Sequence, residues 1–195
     1  MSRRGWLFLG TTAPVLAIFA LLTWAVVQSG GTPGSFGVNS EFGQVRLSPQ
    51  SAKDFSLTTL DGATIDLAGL RGKVVMLDFW ASWCKPCRDE APVLSEVYLD
   101  YAERAVEFVG VDIWDRRQDA IEYIDRYQIT YPNGVDENGA IAINYGVRGI
   151  PEKFFIDQDG MIVKKFVGPV DADTLRSTLD ELLGQGALGS SQRQN

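Results

Sequence analysis

Apolar positions along this chain fall into blocks whose spacing changes from one stretch to the next. From Trp6 to Val27 there are 22 residues without a charge. At about 1.5 Å per residue a helix of that length spans a hydrocarbon core of roughly 30 Å. Ser29 to Lys53 shows little periodicity and carries Gly30-Gly31, Pro33-Gly34, Ser35, Gly37 and Ser40, the composition of a flexible tether. Asp54 to Leu67 alternates around Asp61-Gly62, which predicts a hairpin closed by a two-residue turn. Lys73 to Trp80 is nearly all apolar, as a central strand covered on both faces would be.

Beyond that strand the period lengthens. Val93, Leu94, Val97, Tyr98 and Tyr101 recur at helical spacing, with Pro92 inside the run and expected to kink it. Val106 to Asp112 reads as a second buried strand. Ala120, Ile121, Ile124 and Tyr127 mark another helix, and a short one is expected from Asn138 to Tyr145, stopped by Gly146. Phe154 to Asp157 and Met161 to Val167 form a hairpin across Asp159-Gly160. Asp171 caps a final helix that buries Leu175, Leu179, Leu182 and Leu183 and ends at Gly184. Strands alternating with helices, then a hairpin and a helix, indicate an α/β domain with a mixed sheet. The expected organisation is a stub and anchor over residues 1–28, a linker over 29–53, one domain over 54–184 and a disordered tail over 185–195.

Arg3 and Arg4 precede the first apolar block, so the positive-inside rule puts the N-terminus in the cytoplasm and the domain outside. A cleaved signal peptide is the rival, but its apolar region is shorter, and Trp24-Ala25-Val26-Val27-Gln28 is a poor cleavage context. Ser2-Arg3-Arg4-Gly5-Trp6-Leu7 also loosely resembles a twin-arginine export signal. Either route exports the domain. Of 18 basic and 25 acidic residues, the first 53 hold four and one, leaving 14 and 24 and a net charge of −10 for the rest. Such a domain repels nucleic acid.

The chain has 2 cysteines and 0 histidines. Both cysteines stand in Trp83-Cys84-Lys85-Pro86-Cys87, where the apolar strand becomes a helix. Zinc needs about four Cys or His ligands, haem attachment needs a His after the second Cys, where Arg88 stands, and Cys–His catalysis needs a His. Thiol–disulfide exchange remains, with no metal or other cofactor required. Cys84 lies at the helix N-terminus, where backbone N–H groups favour a thiolate. Cys87, one turn on, can close a Cys84–Cys87 disulfide and displace a bound substrate.

The strand–Trp-Cys-x-Pro-Cys–helix junction, Pro92 five residues after Cys87, and Gly149-Ile150-Pro151 before the last hairpin resemble thioredoxin-fold proteins. More narrowly, they resemble the membrane-anchored TlpA/ResA/CcmG (DsbE) group, which the N-terminal hairpin and the helical segment inserted between strands also suit. The resemblance implies a central mixed sheet flanked by helices. It also implies a cis Ile150–Pro151 bond beside the disulfide, which would expose the Ile150 backbone for strand-like pairing with an extended substrate. Asp78 matches the acid that in thioredoxins lies behind the second cysteine and moves its proton, whereas cytochrome-maturation relatives often carry Asn there. Glu152 points the other way, toward CcmG-type proteins, and a carboxylate near the pair would raise the thiol pKa values.

Lys85 could lower the Cys84 pKa by charge attraction or simply point into water. Pro86 fits the first helical turn. Trp83 is expected to form a flat apolar edge of the docking surface, Phe79 and Trp80 to be core, and Trp114 to serve packing or function. The resemblance suggests a monomeric extracytoplasmic reductant, with apocytochrome c as client and a CcdA/DsbD-like membrane protein as electron donor. A general thiol–disulfide exchange protein (oxidant or broad-range reductant), a peroxide-consuming redoxin and a non-enzymatic membrane adaptor are the alternatives. Against the peroxidase stands Ala81, in place of the Thr of Pro-x-x-x-Thr-x-x-Cys.

Overall fold

The structure is a computed structural model, and it describes residues 16–24 and 37–192. The chain divides into two units, Met1–Phe36 and Gly37–Asn195. In the first, residues 16–24 form a helix, α1, with every side chain exposed. Among the described residues no helix is long and apolar enough to cross a membrane; the rest of the anchor expected over Trp6–Val27 lies outside them.

The second unit is built on a mixed sheet. β1 (Gly43–Val45), β2 (Gln50–Ser51), β5 (Val74–Trp80), β6 (Val106–Asp112), β7 (Asn133–Val135), β8 (Glu152–Ile156) and β9 (Met161–Val167) take the order β1-β9-β8-β5-β6-β7, with β2 also on β9. β5, β6 and β7 are parallel, while β8 and β9 run antiparallel to their neighbours. All seven residues of β5 are buried, so the near-continuous apolar run follows from cover on both faces. α2 (Lys85–Asp100) packs against α3 (Arg117–Tyr127) and α5 (Ala172–Gln192). On the opposite face of β5, Phe79 meets Tyr145 of α4 (Ala140–Tyr145) and Phe154 of β8.

Three expectations need correction. β3 (Ser56–Thr58) and β4 (Thr64–Asp66) do pair around Asp61-Gly62. However, Thr59 N–H reaches Ala63 O and Gly62 N–H reaches Thr59 O, giving a three-residue loop with Gly62 at φ 90°, the second commonest hairpin solution. The expected linker is part of the fold from residue 37 onward, because β1 and β2 lie inside it and pair with β9. The free edge of β9 supplies backbone partners that no local periodicity announces. Finally, α5 does not stop at Gly184 but runs to Gln192. Gly184 does not take the left-handed conformation that ends α4 at Gly146, so the tail expected over 185–195 is helical as far as it is described.

Gly110 on β6 is where the sheet is tightest. A Cβ there would lie 1.7 Å from Asn133 Oδ1 and 2.9 Å from Trp80 Nε1, the two atoms joined by the buried Trp80–Asn133 hydrogen bond of 2.9 Å. Gly110→Ala must push this pair apart. Chemical denaturation should show a loss of about 3 kcal/mol, combining overpacking with a broken buried hydrogen bond.

Candidate functional site

The end of β5 hands the chain to α2 through Ala81, Ser82 and Trp83, and this short loop is held from three sides. Asp115 Oδ2 accepts the Ser82 N–H at 2.6 Å, Arg88 Nη1 donates to Ser82 O at 2.9 Å, and Trp83 Nε1 donates to Trp114 O at 3.0 Å. Cys84 is the N-cap of α2, and its Sγ accepts the Cys87 N–H at 3.2 Å. A sulfur in that position receives an otherwise unpaired helix donor together with the positive end of the dipole, which favours its thiolate once reduced. Cys84 and Cys87 are joined in a disulfide with Cα atoms 5.3 Å apart. Both are buried, Cys84 with 0% exposure. Pro86 fills the first helical turn as expected.

Behind Cys87 lies a group of buried charges. Asp78 on β5 stands opposite Lys153 on β8 in the antiparallel register, so their side chains share a face. Glu90, one turn beyond Cys87 on α2, comes down onto the same place. Lys153, with 0% exposure, lies 2.6 Å from Glu90 Oε1 and 3.3 Å from Asp78 Oδ1. Glu90 Oε2 also accepts the Val170 N–H at 2.9 Å. Burial pushes the Asp78 carboxyl above its ordinary value, against the pull of Lys153. Burial also pushes Glu90 up to about 7, with Lys153 opposing and Asp78 reinforcing the rise. For Lys153 burial works downward, but the two carboxylates outweigh it and hold the amine protonated. Two acids facing one cation therefore keep a proton between them near neutral pH. Tyr123 closes the group, donating to Cys87 O at 2.9 Å and stacking on Trp80.

Residues 49–165 match the AhpC/TSA family. The chain belongs to that family. It is 34% identical over 133 residues to the thiol-disulfide oxidoreductase ResA of Bacillus anthracis, covering 68% of this chain and 77% of that one. To the thioredoxin-like protein YneN of Bacillus subtilis (strain 168) it is 36% identical over 135 residues, or 67% of this chain and 78% of the relative. Among solved structures, a secreted Mycobacterium tuberculosis disulfide oxidoreductase homologous to E. coli DsbE superimposes with a TM-score of 0.60 at 33% identity, covering 66% of this chain and 96% of that one. A thioredoxin-family thiol:disulfide interchange protein from Chlorobium tepidum TLS gives 0.66 at 30% identity, covering 71% and 99%. This AhpC/TSA member is a thiol-disulfide oxidoreductase with a thioredoxin fold.

Several expected site residues behave differently in place. Lys85 is turned along the helix to Asp89, 2.6 Å away and exposed, because an i,i+4 carboxylate lies within easier reach than the sulfur. Glu152 is neither solvated nor a bare charge near the thiols. It is 3% exposed, paired with Lys165 at 2.7 Å, and accepts the Arg148 N–H at 3.3 Å. The Ile150–Pro151 bond is cis, but the Ile150 backbone is not open: its N–H donates to Gly37 O and its O accepts from Asn39 N–H, both at 2.6 Å. Trp83 is exposed at 44% and Trp114 at 59%, while Phe79 and Trp80 are core.

Glu90, Lys153 and Asp112 escaped the sequence reading. Glu90 could have been found, since it interrupts the apolar stripe Cys87, Ala91, Leu94 on one face of α2. Asp112, at the end of β6, is fully buried with neither carboxylate oxygen hydrogen-bonded among the described residues. Burial, and next the neighbouring Asp115 charge, push it up to about 8.

Two measurements check this electrostatic picture. The folded pKa of Asp112 lies above its unfolded value, so between the two the folded state holds a proton the unfolded state has lost. Stability therefore falls as pH rises from the ordinary carboxylate range through about 8. Asp112→Asn should flatten that decline and raise the thermal midpoint above pH 8. Lys153→Met leaves two buried carboxylates without their cation and should cost about 3–5 kcal/mol. Chemical denaturation should find the loss larger at pH 8 than at pH 5, where protonation relieves the repulsion.

Proposed function

We propose that this oxidoreductase is a tethered extracytoplasmic reductant of protein disulfides and that its clients are apocytochromes c. The observation that carries the chemistry is the Cys84 sulfur capping α2, with Glu90 of the buried Asp78–Lys153–Glu90 group one turn beyond Cys87 on that helix. Cys84 thiolate attacks one sulfur of a client disulfide. An S–S bond forms between protein and client, and the client's other sulfur leaves as a thiolate and takes a proton. Cys87 then gives its proton to whichever carboxylate of the Asp78–Glu90 pair Lys153 keeps ionised, and attacks Cys84 Sγ. The second client sulfur leaves, the client has gained two electrons, and Cys84–Cys87 is oxidised.

Resetting the disulfide requires two electrons and two protons from a donor. Outside the cytoplasm, where the surroundings are generally oxidising, a CcdA/DsbD-like membrane protein fits. The uncharged run from Trp6 to Val27 behind Arg3 and Arg4 supports the membrane attachment and the orientation. Similarity to the proteins named ResA and DsbE supports the client class. A peroxide-consuming role is disfavoured by Ala81, which brings no hydroxyl to the loop before Cys84.

Cys84→Ser should abolish disulfide reduction, whereas Cys87→Ser should accumulate mixed disulfides that identify the client by mass spectrometry. Capture of secreted proteins alone, with no cytochrome precursor, overturns the client class. A Cys84–Cys87 potential as oxidising as about −120 mV overturns the reductant assignment. Asp78→Asn should slow resolution of the mixed disulfide by about 100-fold, with the lost limb visible in the pH–rate profile. An unchanged rate across pH removes Asp78 from proton transfer.

A further inference from the structure

The edge on which an extended client would pair is occupied by the chain itself. Phe79 stands opposite Glu152 in the β5–β8 register, so Ile150 and Pro151 lie just past the end of β5, the end from which the loop leads to Cys84. Across Ile150 runs the segment Gly37–Asn39, with Val38 in a parallel bridge to it. The two backbone bonds at 2.6 Å take up both the N–H and the O of Ile150, and Asn39 Nδ2 donates to Pro151 O at 3.2 Å.

The fit is close. A Cβ on Gly149 would lie 3.0 Å from Asn39 Oδ1 and 3.1 Å from Gly37 O, and Gly37 in turn backs onto the ring of the exposed Trp114. Ile150 and Cys84 are both fully buried, so the nucleophilic sulfur is covered in the same state in which the docking edge is filled.

We propose that Gly37–Asn39 is an autoinhibitory strap, an internal occupant of the client edge that must leave Ile150 before an extended cysteine-bearing peptide can reach Cys84. This rests on the reading that clients pair with the Ile150 backbone. Neighbouring strands lie about 4.8 Å apart, so a client added outside the strap would stand one strand-width further from the disulfide than a client on Ile150 itself. A sulfur–sulfur attack does not bridge that extra gap.

The strap is built to exchange. It is only half-buried and holds the edge through three residues, the profile of a segment that opens locally while the fold stays intact. Its anchorage is separate, because β1 begins at Gly43 and pairs with β9. Phe42 is held edge-on against Phe166 and the Glu41 backbone lies close on Gly168, so the exposed Ser40 is the hinge point. The competent fraction of the protein is the fraction with the strap away, and apparent client affinity scales with that fraction.

Asn39→Pro removes the N–H donated to Ile150 O and the side-chain amide on Pro151 O, without touching the cysteines or the buried charges. With a synthetic disulfide-bonded peptide as probe, the full-length variant should show kcat/KM raised about ten-fold, with the Cys84–Cys87 potential unchanged. An unchanged or lowered kcat/KM at an unchanged potential overturns the strap.

Should that variant fold poorly, amide hydrogen exchange on Cys87→Ser protein, free and in mixed disulfide with the same peptide, decides. The Asn39 amide should lose its protection in the complex while the Ile150 amide keeps it, now bonded to the peptide. Protection of both in the complex overturns the strap. Loss at both shows that clients do not pair with Ile150, and the proposal falls with that reading. The client class and the reducing direction are tested separately by trapping and by the potential, so their failure leaves these outcomes legible.

Discussion

A strand buried on both faces can carry a carboxylate only if its neighbours bring a cation to it, and β5 meets that condition through Lys153. Leaving Asp78 uncompensated among β5's seven buried residues would cost several kcal/mol or force protonation. Lys153 supplies the charge from β8, and Glu90 from α2 makes the group one negative charge too rich unless a proton is held. These contacts join β5, β8 and α2 to the segment leading into α5 through the Glu90–Val170 bond. The same three side chains bear on stability and, in the proposed mechanism, on the proton of Cys87.

On the other side of the disulfide the organisation is one of access. Asp115, Arg88 and Trp114 hold the Ser82–Trp83 loop, so the helix start and the sulfur it caps have a set position. Trp83 and Trp114 remain exposed beside it, an aromatic rim able to bury against a client at low entropic cost. Gly37–Asn39 takes up the backbone groups of Ile150. The helix terminus favours the Cys84 thiolate, and the proposed strap governs whether a client reaches the Ile150 backbone.

Local pattern was legible wherever one element decides its own geometry. Val106–Asp112 is β6 to the residue, Gly146 ends α4, and Gly160 turns β8 into β9 with φ 81°. It failed where a partner distant in sequence decides. The stretch before Lys53 shows little periodicity, yet three short pieces of it, Gly37–Asn39, Gly43–Val45 and Gln50–Ser51, are drawn onto the Ile150 loop and β9. Tyr123 completes the buried face of α3 because Trp80 is there to stack on. Lys153 lies in a strand where a lysine alone reads as solvent-facing, and only pairing with β5 sets it against Asp78.

By itself the sequence determined the reaction class. With no histidine, two cysteines one helical turn apart, and a strand-to-helix junction between them and the core, thiol–disulfide exchange is the chemistry left, because thiolate formation at a helix start depends on local backbone geometry alone. The tertiary structure alone decided which charges meet in the core and which backbone groups at Ile150 are already taken. Those depend on charges meeting across strands 75 residues apart, as Asp78 and Lys153 do, and on backbone groups claimed from 112 residues away, as Asn39 claims Pro151. Burial makes such encounters strong and register makes them specific, and neither exists until the sheet has closed.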